Sequence, residues 1–98
     1  TPDILAGLGA SKRPDQVLVG FAAETSDLVA NAQSKLERKN LDLIVANDVS
    51  QPGVGFAHDT NAVTFLRPSQ ALESVSLTDK RAVARALLDI VVQIRANQ

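Results

Sequence analysis

Residues 17–25, VLVGFAAET, together with the segment that follows them, decide the fold. The run VLVGFAA is almost uniformly apolar, which is typical of a strand covered on both faces of a parallel sheet. A second apolar run, LDLIVAND at residues 41–48, predicts another strand. Between them lies a helix-forming segment of about the length that a crossover needs, so the sequence predicts a βαβ unit.

The helix between these strands has recognisable start and stop signals. Thr25 can cap it, Asp27 would lie in its first turn, and we expect it to extend to about Lys39. Asn40 can end it in a left-handed conformation. Its apolar residues fall on one stripe that should face the sheet: Leu28, Val29, Ala32 and Leu36.

The segment before this unit predicts a short helix and a loop. Thr1, Pro2 and Asp3 form a helix-opening pattern, because a hydroxyl can cap, proline tolerates the first helical position and an acid suits the positive helix end. We predict a helix from Pro2 to about Ala10. ASKRPDQ, residues 10–16, reads as a loop because proline disfavours a helical residue before it.

The second half of the chain predicts a loop, a hairpin and a helix. Residues 48–60, DVSQPGVGFAHDT, are polar, rich in turn formers and longer than a simple connection, so the loop is either functional or packed on a partner. NAVTFL (61–66) and LESVSL (72–77) favour antiparallel strands at a sheet edge. Thr78 and Asp79 open a last helix whose apolar stripe should pack on the sheet: Val83, Ala84, Leu87, Leu88, Val91 and Ile94.

The composition indicates a single soluble domain. The chain has 98 residues, 45% of them apolar and 21% charged, as in globular proteins. A net charge of -1 provides no field to attract nucleic acid or an anionic membrane. The absence of cysteine excludes a disulfide scaffold and thiolate chemistry and suits a reducing cytoplasm. The start TPDILAGLG lacks the features of a signal peptide, and we expect the chain to be the remainder of a longer polypeptide.

Phe21 is the first candidate for ligand binding. Ligands of open α/β sheets lie beyond the carboxyl ends of the strands, here around Phe21–Thr25 and Asn47–Ser50. Phe21 could pack a flat ring such as a nucleobase, with Ala22 and Ala23 leaving backbone groups accessible beside it. The alternative is a core aromatic that closes the sheet. Asn47 and Asp48 can bond either the following loop or a partner chain.

Three cations crowd the end of the crossover helix: Lys35, Arg38 and Lys39. Lys35 and Lys39 lie one turn apart and repel each other by a few tenths of a kcal/mol. Cations here complement the negative helix end, but the dipole does not require three of them. A triphosphate would turn the repulsion into a clamp. The free amide groups of the helix that opens with Pro2, Asp3, Ile4 and Leu5 could also receive an anion, as at any helix start.

Catalytic templates receive no support from the sequence. His58 is the only histidine, and one histidine beside Asp59 seldom forms a metal site. There is no Gly-rich dinucleotide loop, no Walker lysine and neither an HExxH nor a GxSxG element. We therefore assign no catalytic residue to the segment and leave metal ligands undetermined.

Four segments carry a resemblance in their order and spacing: VGFAAET (19–25), KLERKNLDLIVANDVSQPGVGF (35–56), DTNAV (59–63) and KRAVARALLDIV (80–91). Together they resemble the phosphopantothenoylcysteine synthetase family, the ligase half of bifunctional coenzyme A biosynthesis proteins. The resemblance covers residues 1–98, which correspond to the C-terminal part of that ligase domain. It implies a Rossmann-like, three-layer α/β domain with a mainly parallel sheet and an antiparallel edge hairpin, present here as its C-terminal portion.

The resemblance also implies a reaction. Members of the family use CTP to activate 4'-phosphopantothenate as an acyl cytidylate with release of pyrophosphate, after which the amine of cysteine displaces CMP. Mg²⁺ shares the neutralisation of the phosphates. The family's nucleotide contacts fall on Pro2, Asp3, Ile4, Leu5, Phe21, Lys35 and Lys39. The family's upstream motifs are absent from this chain, so we expect it to be inactive and only marginally stable by itself.

The resemblance further implies partners and a compartment. We expect a homodimer formed through the ligase domain, with the DVSQPGVGF loop and the hairpin near the partner, in the cytoplasm. The upstream ligase half and a decarboxylase domain, which alone would hold FMN, should accompany it, without nucleic acid or membrane. One alternative is a non-catalytic α/β nucleotide-binding or dimerisation module. Another is an ATP-dependent ligase, as in eukaryotic relatives.

Overall fold

The computed structural model describes residues 2–48, 62–76 and 80–98. In these residues the elements follow in the order α1 (Ile4–Ala10), β1 (Val19–Glu24), α2 (Leu28–Arg38), β2 (Leu43–Asp48), β3 (Ala62–Leu66), β4 (Glu73–Ser76) and α3 (Lys80–Ala96). The strands form one sheet in the order β1-β2-β3-β4. β1 and β2 are parallel, whereas β3 is antiparallel to both of its neighbours, β2 and β4. The α/β class, the βαβ unit and the edge hairpin are thus confirmed, with a mixed sheet in the described part.

Helices cover the sheet on both faces and make three layers. On one face α2 and Leu5 of α1 pack on a buried cluster: Ala32, Leu36, Leu41, Ile44, Ala46 and Leu66. On the other face α3 packs on a second cluster: Leu43, Val45, Val63, Phe65 and Ile90. Successive side chains of a strand point to opposite faces, so the apolar run of β2 supplies both clusters. None of the described helices combines the length and apolar character needed to cross a membrane.

Helix α1 begins later than predicted. Its cap is Asp3, whose side-chain Oδ1 accepts the N–H of Ala6 at 3.0 Å, and the helix itself starts at Ile4. The predicted start at Pro2 was therefore two residues early, because Asp3 competes as an equally good capping residue. The predicted cap, Thr1, lies outside the described residues.

Helix α2 also begins after the predicted cap. Asp27 precedes it with φ of 47°, and the first backbone bond runs from the N–H of Asn31 to the carbonyl of Asp27, so Thr25 is not the cap. Asn40 has φ of 55°, which confirms the predicted left-handed stop. Ala32 and Leu36 are buried, whereas Val29 is 45% exposed because it lies about 100° around the helix from Leu28.

Helix α3 packs on the sheet through a stripe that differs from the predicted one. Val83, Ala86, Leu87, Ile90 and Ile94 contact the second cluster, and only Ile90 is fully buried. The predicted stripe omitted Ile90 and included Leu88, which is 62% exposed, and Ala84, which is also exposed. The residues predicted to open this helix, Thr78 and Asp79, lie outside the described part, as do His58 and most of the loop that contains it.

Candidate functional site

Phe21 projects from β1 on the face covered by α3. The side chains of β1 alternate: Ala22 packs in the cluster beneath α2, whereas Val19, two residues before Phe21, packs in the cluster beneath α3. Phe21 is 71% exposed even though its strand is parallel-paired to buried β2. Within the described residues Phe21 is therefore not a core aromatic, and its ring is open to solvent.

A cleft of about 400 Å³ lies beside this ring. Its volume falls within the range of small-molecule sites, and its walls are mostly apolar. It sits where β1 and β2 approach their carboxyl ends, which is the edge expected for ligands. The lining residues are Phe21, Ala22, Ala23, Val45, Asn47, Val63 and Val83.

Among the described residues that line this cleft, Asn47 is the one with a polar side chain. It pairs with Ala23 of β1 and with Val63 of β3, and all three line the cleft. Its side-chain oxygen is buried and has no hydrogen-bond partner among the residues that the structure describes. The sequence placed Asn47 at the strand end but suggested the loop or a partner chain as its contact. The structure shows that it also borders the space next to Phe21.

Lys35 is held by a buried carboxylate at the end of β1. Its Nζ lies 2.6 Å from Oε1 of Glu24, whose side chain is only 9% exposed. A buried carboxylate requires a partner of opposite charge, and Lys35 supplies it. Sequence reasoning did not single out Glu24, because the pair joins a strand to the crossover helix and no local spacing reveals it.

Lys39 is held by the cap of α1. Its Nζ lies 3.2 Å from Oδ2 of Asp3, while Oδ1 of Asp3 accepts the N–H of Ala6. Two interactions lower the pKa of Asp3 below its ordinary value of 3.8: chiefly the hydrogen bond from the Ala6 N–H, and next the contact with the Lys39 ammonium. The pair brings the start of α1, from Pro2 to Leu5, to the last turn of α2.

The predicted residues thus form two groups rather than one. Asp3 meets Lys39, and Lys35 meets Glu24, on the α2 side of the sheet. Phe21 lies on the α3 side, and neither lysine lines its cleft. The cause is that Phe21 and Glu24 have opposite parity in β1, so their side chains point to opposite faces of the sheet. One molecule could contact both groups around the carboxyl end of β1.

A preformed metal site is not found in the described part of the chain. No three histidine, cysteine, aspartate or glutamate side chains there come close enough together to hold an ion. The two acidic groups near the lysines, Asp3 and Glu24, are each already paired with an ammonium. Neither carboxylate could bind a metal ion without giving up its contact with a lysine.

Comparison with known proteins decides the family. The sequence profile of the "DNA/pantothenate metabolism flavoprotein C-terminal domain" matches residues 1–94. The chain belongs to this family.

A curated relative and a solved structure link this family member to coenzyme A biosynthesis. The coenzyme A biosynthesis bifunctional protein CoaBC of Bacillus subtilis (strain 168) is 61% identical over 65 residues, which are 66% of this chain and 16% of that protein. The crystal structure of the C-terminal domain of a CoaBC protein superimposes with a TM-score of 0.81 at 37% identity, covering 100% of this chain and 44% of that domain. The fold is therefore that of the CoaBC C-terminal domain.

Another curated relative carries a different name. A cysteine/cysteine sulfinic acid decarboxylase from an unknown prokaryotic organism is 48% identical over 88 residues, which are 90% of this chain and 24% of that protein. The chain thus spans about a quarter or less of the length of these curated relatives.

Proposed function

We propose that this chain forms part of a phosphopantothenate–cysteine ligase and contributes much of its CTP site. Family membership over residues 1–94 and the names of the CoaBC relatives support a role in coenzyme A biosynthesis. The order of the segments that resemble the synthetase family supports the ligase half of that role. The upstream ligase half, a decarboxylase domain with FMN, a second copy of the chain and a cytoplasmic setting belong to the same proposal.

The contact between Lys39 and Asp3 carries this proposal. It brings together the start of α1 and the end of α2, which are far apart in the sequence. Residues at both places, Pro2 to Leu5 and Lys39, correspond to nucleotide contacts in the family that the chain resembles. Their proximity is what a shared phosphate site requires.

The two lysines would supply positive charge to the phosphates. Each ammonium is a point charge on a flexible stem, so it can turn from its carboxylate to a phosphate oxygen. In the proposed reaction a carboxylate oxygen of 4'-phosphopantothenate attacks the α-phosphorus of CTP, and the bond to pyrophosphate breaks. The lysines would stabilise the charge that develops on the leaving pyrophosphate. The amine of cysteine then attacks the acyl carbon, loses a proton and displaces CMP.

In this proposal Mg²⁺ would be bound mainly by the phosphate oxygens of the nucleotide. Magnesium commonly binds through substrate phosphates and one or two carboxylates while keeping several waters. Bound in this way, it would withdraw charge from the phosphate oxygens. The described residues offer Asp3 and Glu24 as nearby carboxylates, each shared with a lysine.

A non-catalytic nucleotide-binding or dimerisation module is the second candidate. The observation that favours it is that both lysines are already neutralised by carboxylates, as in purely structural ion pairs. The two candidates differ in whether loss of a lysine weakens nucleotide binding or only stability.

Lys39→Gln tests the proposed phosphate role. We expect the affinity for CTP to fall about tenfold or more, since a hydrogen bond to a charged group contributes about 1.5–3 kcal/mol. The melting temperature should change little, because the Asp3 side chain of the pair is 49% exposed and exposed pairs contribute little. Calorimetric titration and thermal unfolding measure the two effects.

Arg38→Gln is the matched control, since it removes one positive charge from the same helix turn. Nε of Arg38 contacts Oγ of Ser34 on the exposed side of α2, so CTP affinity should be nearly unchanged. A lower melting temperature with unchanged CTP affinity in Lys39→Gln would assign Lys39 to structure alone. Thermal unfolding with CTP or with ATP distinguishes the two nucleotides. A ligand at 100 times its Kd stabilises the folded protein by about 2.7 kcal/mol, so the nucleotide that binds more tightly raises the melting temperature more.

A further inference from the structure

The side-chain oxygen of Asn47 is a buried acceptor without a donor. More than nine-tenths of buried polar groups in proteins have a hydrogen-bond partner, and each exception needs an explanation. Leaving such a group unpaired costs about 1–3 kcal/mol. In the described structure this oxygen has no partner, although its residue lies in a well-paired central strand.

The surroundings of Asn47 suit a flat ligand with a donor group. On the neighbouring strand Ala23 lies directly across from it, and its small side chain leaves room above the sheet. Phe21, two residues earlier on the same face, presents a ring that is 71% exposed. Among the described residues, the other walls of the cleft are phenylalanine, alanine and valine, whose side chains cannot donate. A single polar group in an apolar cleft fixes the orientation of a ligand.

We propose that Asn47 selects the base of the bound nucleotide, its side-chain oxygen accepting an N–H of an exocyclic amine while the base lies against Phe21. This inference rests on the proposed function, which it extends by a specificity residue. Cytosine and adenine both carry such an amine, whereas uracil has a carbonyl at the equivalent position. A site built to bond a donor strongly rejects an analogue without it.

The carboxyl end of β1 lets one nucleotide reach both groups of residues. Glu24 is the last residue of β1, so the strand no longer separates the two faces of the sheet beyond it. Phe21 and Glu24 are three residues apart, which is about 10 Å along a strand. A base beside Phe21 can therefore extend its phosphates past the end of β1 toward Lys35.

The test compares nucleotides that differ in the amine. A polypeptide extended to the full domain is titrated with CTP, ATP and UTP, and with the triphosphates of the pyrimidinone and purine ribonucleosides, which are CTP and ATP without their amines. This polypeptide should bind CTP about tenfold more tightly than the pyrimidinone nucleotide, as expected for one hydrogen bond in a desolvated site. Asn47→Leu, which is similar in size and apolar, should bind the two equally.

Thermal unfolding separates this role from a structural one. Asn47→Leu removes an unpaired polar atom from an apolar cleft, so we expect its melting temperature to rise. A structural asparagine with a partner would give a lower melting temperature. Asn31→Leu is the control: its side-chain amide donates to the carbonyl of Ser26 on the exposed side, and its loss should leave the preference for the amine intact.

The outcomes distinguish the two levels of the proposal. If no nucleotide binds, both the proposed function and the role of Asn47 are wrong. If nucleotides bind but neither CTP nor ATP is preferred over its amine-free counterpart, or UTP is preferred to both, only the role of Asn47 is wrong. Preference for either CTP or ATP over its amine-free counterpart supports the role, and the stronger of the two identifies the base.

Discussion

Asp3 shows how one side chain can connect two helices. One carboxylate oxygen caps α1 by accepting the Ala6 N–H, and the other contacts the Lys39 ammonium. Both interactions favour the ionised form and hold the pKa of Asp3 below its ordinary value of 3.8. The start of α1 therefore depends on a charge.

This dependence predicts a loss of stability in acid. Because the folded pKa lies below the unfolded one, the contribution of Asp3 is fully present above the unfolded pKa and is lost as pH falls through the folded pKa. Asp3→Asn should therefore be less stable than the original chain at neutral pH, and the difference should shrink on acidification. Melting curves of both proteins from neutral pH to below the folded pKa measure this convergence.

The control for this prediction is Asp15→Asn. Asp15 pairs with Arg13 at the surface, with both side chains more than two-thirds exposed at 69% and 74%. Exposed pairs contribute little, so this variant should change stability less than Asp3→Asn at neutral pH. A constant difference between Asp3→Asn and the original chain at every pH would contradict a role for the charge.

For individual residues, the sequence indicated the candidate side chains but not the residues that they contact. Phe21 was expected at the carboxyl end of a strand, but it is the third of the six residues of β1. Which face it occupies could not be predicted, because VLVGFAA is apolar throughout and lacks the alternation that assigns faces. The partners of Lys35 and Lys39 are distant in sequence, so helical spacing could not indicate Glu24 or Asp3.

Among the elements, α1 lies unusually close to the end of α2. A Cβ on Gly9 would lie 1.8 Å from the carbonyl oxygen of Lys39, so only glycine allows this approach. Asn40 reinforces the contact by donating from its side-chain amide to the Gly9 carbonyl at 2.9 Å. The position of Lys39 relative to the start of α1 thus depends on a residue without a side chain.

Two glycines of α1 provide a matched pair of substitutions. Gly9→Ala should destabilise the chain by about 1–3 kcal/mol or more, because the helices must move apart. Gly7→Ala meets nothing within 4 Å, so it should stabilise by about 1 kcal/mol through helix propensity. Urea unfolding of both variants measures the difference, and equal effects would contradict the close contact described for Gly9.

The strands and helices themselves were largely predictable, whereas their ends were not. Apolar runs and periodicity identified β1, β2, the hairpin and all three helices of the described part. The starts of α1 and α2 were misplaced because two capping residues stood near each other, Thr1 with Asp3 and Thr25 with Asp27. In α3 two adjacent stripes were comparably apolar, and only packing on the sheet selected the one that contains Ile90.

For the whole molecule, the described residues contain binding groups but no assigned acid or base for the ligase reaction. The chain covers 44% of a solved CoaBC C-terminal domain with the same fold. We expect the chain alone to release no CMP from CTP with 4'-phosphopantothenate and cysteine, because the family resemblance implies that the groups holding the acyl substrate lie upstream of this chain. A polypeptide extended to the full domain should release CMP, as measured by chromatography.

Lys39→Gln in the extended polypeptide is the control, and it should lower the rate of CMP release. Turnover by the chain alone would show that it contains a complete active site. Absence of turnover in the extended polypeptide would instead contradict the ligase assignment and favour the non-catalytic alternative.

The order of the strands in the sheet equals their order in the chain, so new strands can join only beside β1 or β4. β4 is short and polar and carries Glu73, features that discourage pairing with other chains. β1 has no charge before its last residue. Two separately expressed polypeptides, divided ahead of β1, could therefore recognise each other along this strand, which would allow the domain to be reconstituted by fragment complementation.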